Sequence, residues 1–212
     1  MRAVYLHGFA SGSSSRKARF FAERFETFGI HLETPDLTPP ESQGGFEALT
    51  LTAQLRQIEA LLKGEPCLMM GSSMGGYLAA LYAARHPEVE RLVLLAPAFC
   101  FTSRWPSSLG EDRVAEWRRT GRMTLFHYGE KREREIGYQL LEDGERYPDY
   151  PDFAQPALIV HGEHDDVVPA DYSRQFAATH MNAVLHVVES GHELTDQLDF
   201  MWHEIRRFLS CE

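Results

Sequence analysis

Cysteine is scarce in this 212-residue chain: Cys67, Cys100 and Cys211 are odd in number and share no C-x-x-C spacing. That argues against a disulfide scaffold and suggests reduced thiols in a cytoplasmic setting, serving as core filler. Positive charge is also in short supply, with 21 Lys and Arg against 31 Asp and Glu, a formal net charge of −10. Such a surface repels phosphate backbones and anionic headgroups, and no basic cluster stands free of interleaved acids. Nucleic-acid and membrane-surface roles are therefore not expected. Long apolar runs are missing too: the longest, residues 92–101, is broken by Pro97 and falls short of the roughly 20 residues a spanning helix needs. Only Ala3, Val4, Tyr5 and Leu6 separate Arg2 from the polar His7, too few for the apolar region of a signal peptide.

What is present suits one globular domain over residues 1–212: 43% hydrophobic and 25% charged, enough to bury a core without disulfides or a structural metal. Short aliphatic runs alternate with longer stretches of helical period, the pattern of a parallel sheet with crossover helices. Strands are predicted at residues 3–7, 30–34, 66–70, 91–95, 157–161 and 184–188, mostly continuous apolar runs as double-sided burial demands. Ala18, Phe21, Phe25 and Phe28 repeat at helical spacing up to Gly29, and Leu51, Leu55, Ile58 and Leu62 up to Gly64, each glycine placed as a left-handed cap. Residues 77–86 are alanine-rich, apolar nearly all round and closed by Pro87, which predicts a buried helix packed on the sheet. Leu198, Met201, Ile205 and Phe208 mark one face of a last helix. Between residues 99 and 156 the rhythm lapses into scattered aromatics and a mixed-charge run, 130–135, that reads as a solvated surface. This segment is expected to be a lid-like insertion over the sheet. Residues 11–15, rich in serine and glycine, read as a loop.

Gly71-Ser72-Ser73-Met74-Gly75 spells G-x-S-x-G where a strand turns into the alanine-rich helix. A serine in that turn has a strained backbone, and its neighbours two positions away must be nearly free of side chain. Centring the motif on Ser72 would put Met70 and Met74 where glycine is needed, so Ser73 is the candidate nucleophile. Its hydroxyl needs a base, and the base an orienting group. Residues 161–169, HGEHDDVVP, follow an apolar strand and bring acids to its carboxyl end; Gly191-His192 follows the last strand. The order serine, acid, histidine, each in a loop after a strand, is the order of a known hydrolase architecture. Asp165 competes with Asp166 and Glu163 for the acid. His192 competes with His161, His164 and His203 for the base, but His164 adjoins the acids and would struggle to reach Ser73, and His203 falls in a helix. His7 reads as a structural residue at a strand end. His161, His164 and Asp165 lack the helical H-x-x-x-H or cysteine pair of a metal site, so neither metal nor cofactor is expected.

These motifs resemble the α/β-hydrolase superfamily over nearly the whole chain. His7-Gly8-Phe9 is similar to its HG loop, 71–75 to its elbow, 162–169 to its acid loop and Gly191-His192 to its histidine loop. The G-S-S-x-G-G elbow and short insertion look closest to small bacterial serine esterases of the YqiA-like kind, with acyl-glucuronide esterases and palmitoyl-protein thioesterases as kin. The resemblance implies a three-layer α/β/α-hydrolase core with six mainly parallel strands in spatial order 2-1-3-4-5-6, lacking the first two strands of the family. It implies a Ser73–Asp165–His192 triad and makes the Phe9 amide an oxyanion donor, beside the amide of Met74 that follows the nucleophile. Trp105 and Trp117 are candidate walls of an apolar acyl site, although core packing is the more economical account of either. The function expected is a serine hydrolase cleaving carboxylic esters, thioesters included, of a small-molecule substrate through an acyl-enzyme on Ser73. The alternative is a ligand-binding or signalling protein that keeps the scaffold with little turnover. A polyanionic substrate is disfavoured by the net charge unless a local basic pocket exists.

Overall fold

The structure, a computed structural model, describes residues 2–210; Cys211 lies outside them. Strands β1 (Arg2–Leu6), β2 (Leu32–Glu33), β3 (Cys67–Ser72) and β4 (Val89–Leu95) are followed by a hairpin, β5 (Arg122–His127) and β6 (Arg132–Gly137), then by β7 (Ala157–Gly162) and β8 (Ala183–Val188). Setting the antiparallel hairpin aside, the strands form one parallel sheet in the order β2-β1-β3-β4-β7-β8, which is 2-1-3-4-5-6 counted along the chain.

The continuous apolar runs become strands because both faces are covered, and alternate residues serve opposite cores. Val4, Leu6, Met69, Leu92, Leu94 and Ile159 face one core; Ala3, Tyr5, Leu68, Met70, Val93, Leu95 and Val160 face the other. The second core is closed by α1 (Arg16–Glu26) and α8 (Leu198–Ser210), and the first by α2 (Leu51–Leu62), α3 (Met74–Ala83), the insertion and α7 (Asp171–Thr179). Side-chain caps begin α1 and α2: Ser15 Oγ accepts from the Ala18 amide at 3.3 Å and Thr50 Oγ1 from the Ala53 amide at 3.1 Å. Cys67 and Cys100 are buried free thiols. Among the described residues no helix is long and apolar enough to cross a membrane.

Some elements differ from their predicted extents. β2 is only two residues long and pairs with β1 alone at one edge of the sheet. Helix α3 starts at Met74, three residues earlier than expected, and is buried at every position to Ala83. Helix α2 takes its left-handed cap at Lys63, with Gly64 left-handed after it. The insertion is regular rather than featureless, built of α4 (Phe101–Leu109), α5 (Glu111–Thr120), the β5–β6 hairpin and α6 (Gln139–Gly144). Its charged run 130–135 is the hairpin turn and the first four residues of β6. Met123 and Ile136 pair across the hairpin and face the core, while Arg122 and Glu135 pair in solvent at 3.3 Å.

Candidate active site

The elbow is the tightest place in the fold. Ser73 has φ 53° and ψ −120°, a conformation L-residues rarely adopt, and sits between the end of β3 and the first turn of α3. Its amide donates to the Leu95 carbonyl at 2.9 Å, and its carbonyl accepts from the Ala98 amide at 3.0 Å and from Tyr77 at 3.1 Å. A Cβ on Gly71 would lie 2.2 Å from the Gly75 carbonyl oxygen, and one on Gly75 2.1 Å from that of Leu6. The glycines are thus required by the close approach of α3 to β1 and β3, which is what thrusts the Ser73 hydroxyl above the sheet edge.

Two loops at the same edge complete a hydrogen-bonded chain. Ser73 Oγ is 3.0 Å from His192 Nε2, and His192 Nδ1 is 2.7 Å from Asp165 Oδ2. Gly162 lets the two loops pack, since a Cβ there would lie 2.4 Å from the Ser190 carbonyl oxygen. Asp165, its side chain fully buried, also accepts the Val167 and Val168 amides on Oδ1, at 2.9 and 2.7 Å. Burial pushes its pKa up, but the hydrogen bonds from His161 and His192, the charge on His192 and the Val168 amide outweigh that, so the carboxyl titrates well below its ordinary range.

The competing candidates fall elsewhere. Asp166 and Glu163 are exposed, Glu163 paired with Arg174; His164 is exposed and paired with Glu189; His203 is exposed on α8. His161 is different. Fully buried beneath Asp165, its Nε2 is 3.1 Å from Oδ2 and 2.7 Å from the Val168 carbonyl oxygen, while Nδ1 meets Ser173 Oγ at 2.7 Å. It lies behind the acid, away from Ser73, and holds the acid loop in place. Its sequence signal was the histidine at the end of a buried strand, four residues before the acid.

The HG loop faces Ser73: a Cβ on Gly8 would meet the Ser73 Cβ at 3.3 Å. Among the described residues neither the Phe9 nor the Met74 amide has a backbone acceptor, which leaves both donors free beside the serine. His7 is buried behind them, its Nδ1 2.9 Å from the Gly8 carbonyl oxygen. The insertion reaches both this loop and the acid loop directly. The Gly129 amide in the hairpin turn donates to the Ala10 carbonyl at 3.2 Å, and Arg104 Nη1 of α4 donates to the Val167 carbonyl at 2.5 Å.

Between loop and insertion lies a cleft of about 500 Å³ bordered by Ser73, His192, Phe9, Trp105, Leu109 and the hairpin. Trp105 stands at its wall, 5.4 Å from the Phe9 ring. Trp117 does not border it: only 1% exposed, it stacks edge-on behind Trp105 at 5.2 Å and donates from Nε1 to the Ile136 carbonyl at 2.9 Å. The buried indole N–H needs that partner, which fixes Trp117 in the core of the insertion rather than at the cleft. Among the described residues no group of three His, Cys, Asp or Glu is placed to hold a metal ion.

This arrangement can be set beside known proteins. The pimeloyl-[acyl-carrier protein] methyl ester esterase of Xanthomonas axonopodis pv. citri (strain 306) is 28% identical over 226 residues, covering 89% of this chain and 87% of its own. That of Aromatoleum aromaticum is 27% identical over 209 residues, covering 78% and 80%. Among solved structures, alpha/beta hydrolase domain-containing protein 10 from mouse superposes with a TM-score of 0.80 at 18% identity, over 98% of this chain and 88% of that one. Est1E from Butyrivibrio proteoclasticus with ferulic acid bound gives 0.75 at 20% identity, over 99% and 88%. The fold is that of the α/β-hydrolases. The model of the Uncharacterised protein family (UPF0227) matches residues 2–210, and the chain belongs to that family.

Proposed function

We propose that the protein is a serine hydrolase of carboxylic esters, thioesters included, working through an acyl-enzyme on Ser73. The observation that carries this is the unbroken chain from Ser73 Oγ to His192 to the buried Asp165, opening on the cleft beside two free amides. Relatives named as methyl ester esterases support ester cleavage as the reaction.

In this reading His192 carries its proton on Nδ1, donated to Asp165, so Nε2 is free to take the Ser73 proton. The Oγ–carbon bond forms as the carbonyl electron pair moves to oxygen, where the Phe9 and Met74 amides receive the charge. Collapse expels the alkoxide or thiolate, which takes the proton from His192 Nε2. Water, deprotonated by the same nitrogen, then attacks the acyl-enzyme and releases the acid and Ser73.

The test assumes no substrate: the folded protein is treated with a fluorophosphonate and the adduct mapped by mass spectrometry. Modification at Ser73 that vanishes in His192→Ala is the expected result; a folded protein with an inert Ser73 refutes the reading. Sustained turnover of p-nitrophenyl butyrate removes the alternative of a binding protein on a hydrolase scaffold.

A further inference from the structure

The cleft beside Ser73 has two chemically distinct ends. Its insertion side is apolar, formed by Trp105, Leu109, Met123 and Leu125. Its other end, at the first turn of α1, carries Arg16 and Lys17, with Arg113 of α5 at the border. Among the described residues Glu193 is the only carboxylate bordering the cleft, and it lies 3.7 Å from Lys17 Nζ. A chain with a net charge of −10 thus places three cations against one acid around this cleft.

The polar end is built, not merely charged. Lys17 is 7% exposed and its Nζ donates to the Glu193 carbonyl at 2.6 Å, so the ammonium is held in place next to the histidine loop. Burial pulls its pKa down against the pull of Glu193, a strain that a second anion nearby would relieve. Tyr5, 1% exposed, borders the cleft; its buried hydroxyl lies near those of Ser15 and Ser72, and neither meets it in full hydrogen-bond geometry. Ser15 Oγ already accepts the Ala18 amide, so its own proton is free to donate. A buried hydroxyl left without an acceptor is costly, and the positive end of α1 points at the same place.

We propose that this end of the cleft receives an anionic group carried by the substrate, a carboxylate or phosphate a few bonds from the scissile ester, with Lys17, Arg16 and the Tyr5 hydroxyl as its recognition groups. The proposal rests on Ser73 being the nucleophile. It makes the preferred substrates amphiphilic: an apolar segment under the insertion and an anion against α1.

The experiment compares kcat/KM for matched ester pairs. On the acyl side, p-nitrophenyl hemiglutarate is set against p-nitrophenyl butyrate; on the alcohol side, 2-phosphoethyl butyrate against 2-hydroxyethyl butyrate. The anionic member of at least one pair is expected to be preferred roughly 10-fold or more at low salt, the factor one hydrogen bond to a charged group supplies. Which pair shows it identifies the source of the anion. The preference should shrink as salt rises and fall in Arg16→Gln and in Tyr5→Phe, the latter removing an oxygen that has no partner in full hydrogen-bond geometry in the free protein. Equal or better turnover of both neutral members by a protein whose Ser73 labels normally overturns the proposal and leaves the hydrolase reading standing. An inert Ser73 overturns both.

Discussion

Replacing Asp165 by asparagine changes one atom and should nearly abolish turnover, for a reason visible in the hydrogen bonds around it. Oδ1 accepts two backbone amides, from Val167 and Val168, so the asparagine oxygen must take that position. Its NH2 group is then forced into the place of Oδ2, facing His192 Nδ1 and His161 Nε2. His161 Nε2 also lies 2.7 Å from the Val168 carbonyl oxygen and therefore carries a proton, so donor meets donor there. His192 Nδ1 can only accept from an NH2 group, which drives its proton to Nε2, the nitrogen that must take the Ser73 proton. The imidazole is held in the wrong tautomer. By analogy with other triads the loss in kcat is about 10⁴-fold, or ~5.5 kcal/mol of barrier at 1.36 kcal/mol per decade. The assay is initial rates on p-nitrophenyl butyrate, with thermal unfolding to show that the variant is folded and fluorophosphonate labelling expected to slow in parallel. A folded Asp165→Asn protein that keeps more than about a tenth of the wild-type kcat refutes the assignment. Exposed Asp166 serves as control: Asp166→Asn should change kcat by less than about twofold.

His161→Leu leaves the Val168 carbonyl, the Ser173 hydroxyl and Asp165 each short of a partner, so urea denaturation should show a loss of about 2–5 kcal/mol, while kcat falls only about tenfold because three donors still hold Asp165. Unchanged stability, or a kcat as low as that of Asp165→Asn, would contradict this division of labour. Gly75→Ala puts a Cβ 2.1 Å from the Leu6 carbonyl oxygen, so α3 or β1 must shift by about 1 Å; either folding fails by circular dichroism or kcat drops by about 10²-fold, and near-normal activity would count against the elbow geometry. Acid should act in two stages. His127, 4% exposed and accepting the Glu130 amide on Nδ1, has a pKa lowered from 6.5 chiefly by burial, so the stability it contributes is complete above that value and is lost as pH falls below it. Asp165, lowered from 3.8, contributes stability that persists down to that value and is lost below it. Urea midpoints measured between about pH 8 and 5 should therefore fall more in the wild type than in His127→Gln, with hydrogen exchange rising first in residues 122–137; parallel profiles would remove His127 from the account.

The sheet was legible because double-sided burial forces continuous apolar strands and leaves a signature in each of them. The elbow was legible for a related reason: at Gly71 and Gly75 only glycine fits against the carbonyls of Gly75 and Leu6, so backbone geometry writes itself into residue identity. The hairpin was not. Strand 122–127 buries only Met123 and His127, strand 132–137 only Ile136 and Gly137 at its end, and the paired charges of Arg122, Glu135, Glu130 and Arg134 leave too little apolar signal to read. Nothing local marks Gly129 as the residue that meets Ala10, because that contact joins segments over a hundred positions apart in the chain. Trp105 and Trp117 show the same limit from the other side. They lie on two neighbouring helices, Phe101–Leu109 and Glu111–Thr120, and their packing separates the one at the cleft from the one behind it.

That contrast explains why the chemistry of the site is easier to read than its specificity. Ser73, Asp165 and His192 each follow a strand of one parallel sheet, and such loops gather at one edge whatever the surrounding sequence, so three short motifs suffice to predict their meeting. The cleft is assembled differently: Tyr5 comes from β1, Lys17 from α1, Leu109 and Arg113 from two insertion helices and Met123 from the hairpin. None of these residues is constrained by the backbone to be what it is, so none forms a motif. A net charge of −10 disfavours a polyanionic substrate unless a local basic pocket exists, but bulk charge acts over a Debye length of about 8–10 Å and is screened beyond it, whereas Lys17 lies buried at the wall of the cleft itself. On the proposal made above, the three cations bordering the cleft act on a substrate within it at shorter range than the distant surplus of acids, so the sign of the local field, not that of the chain, would decide which esters are held against Ser73.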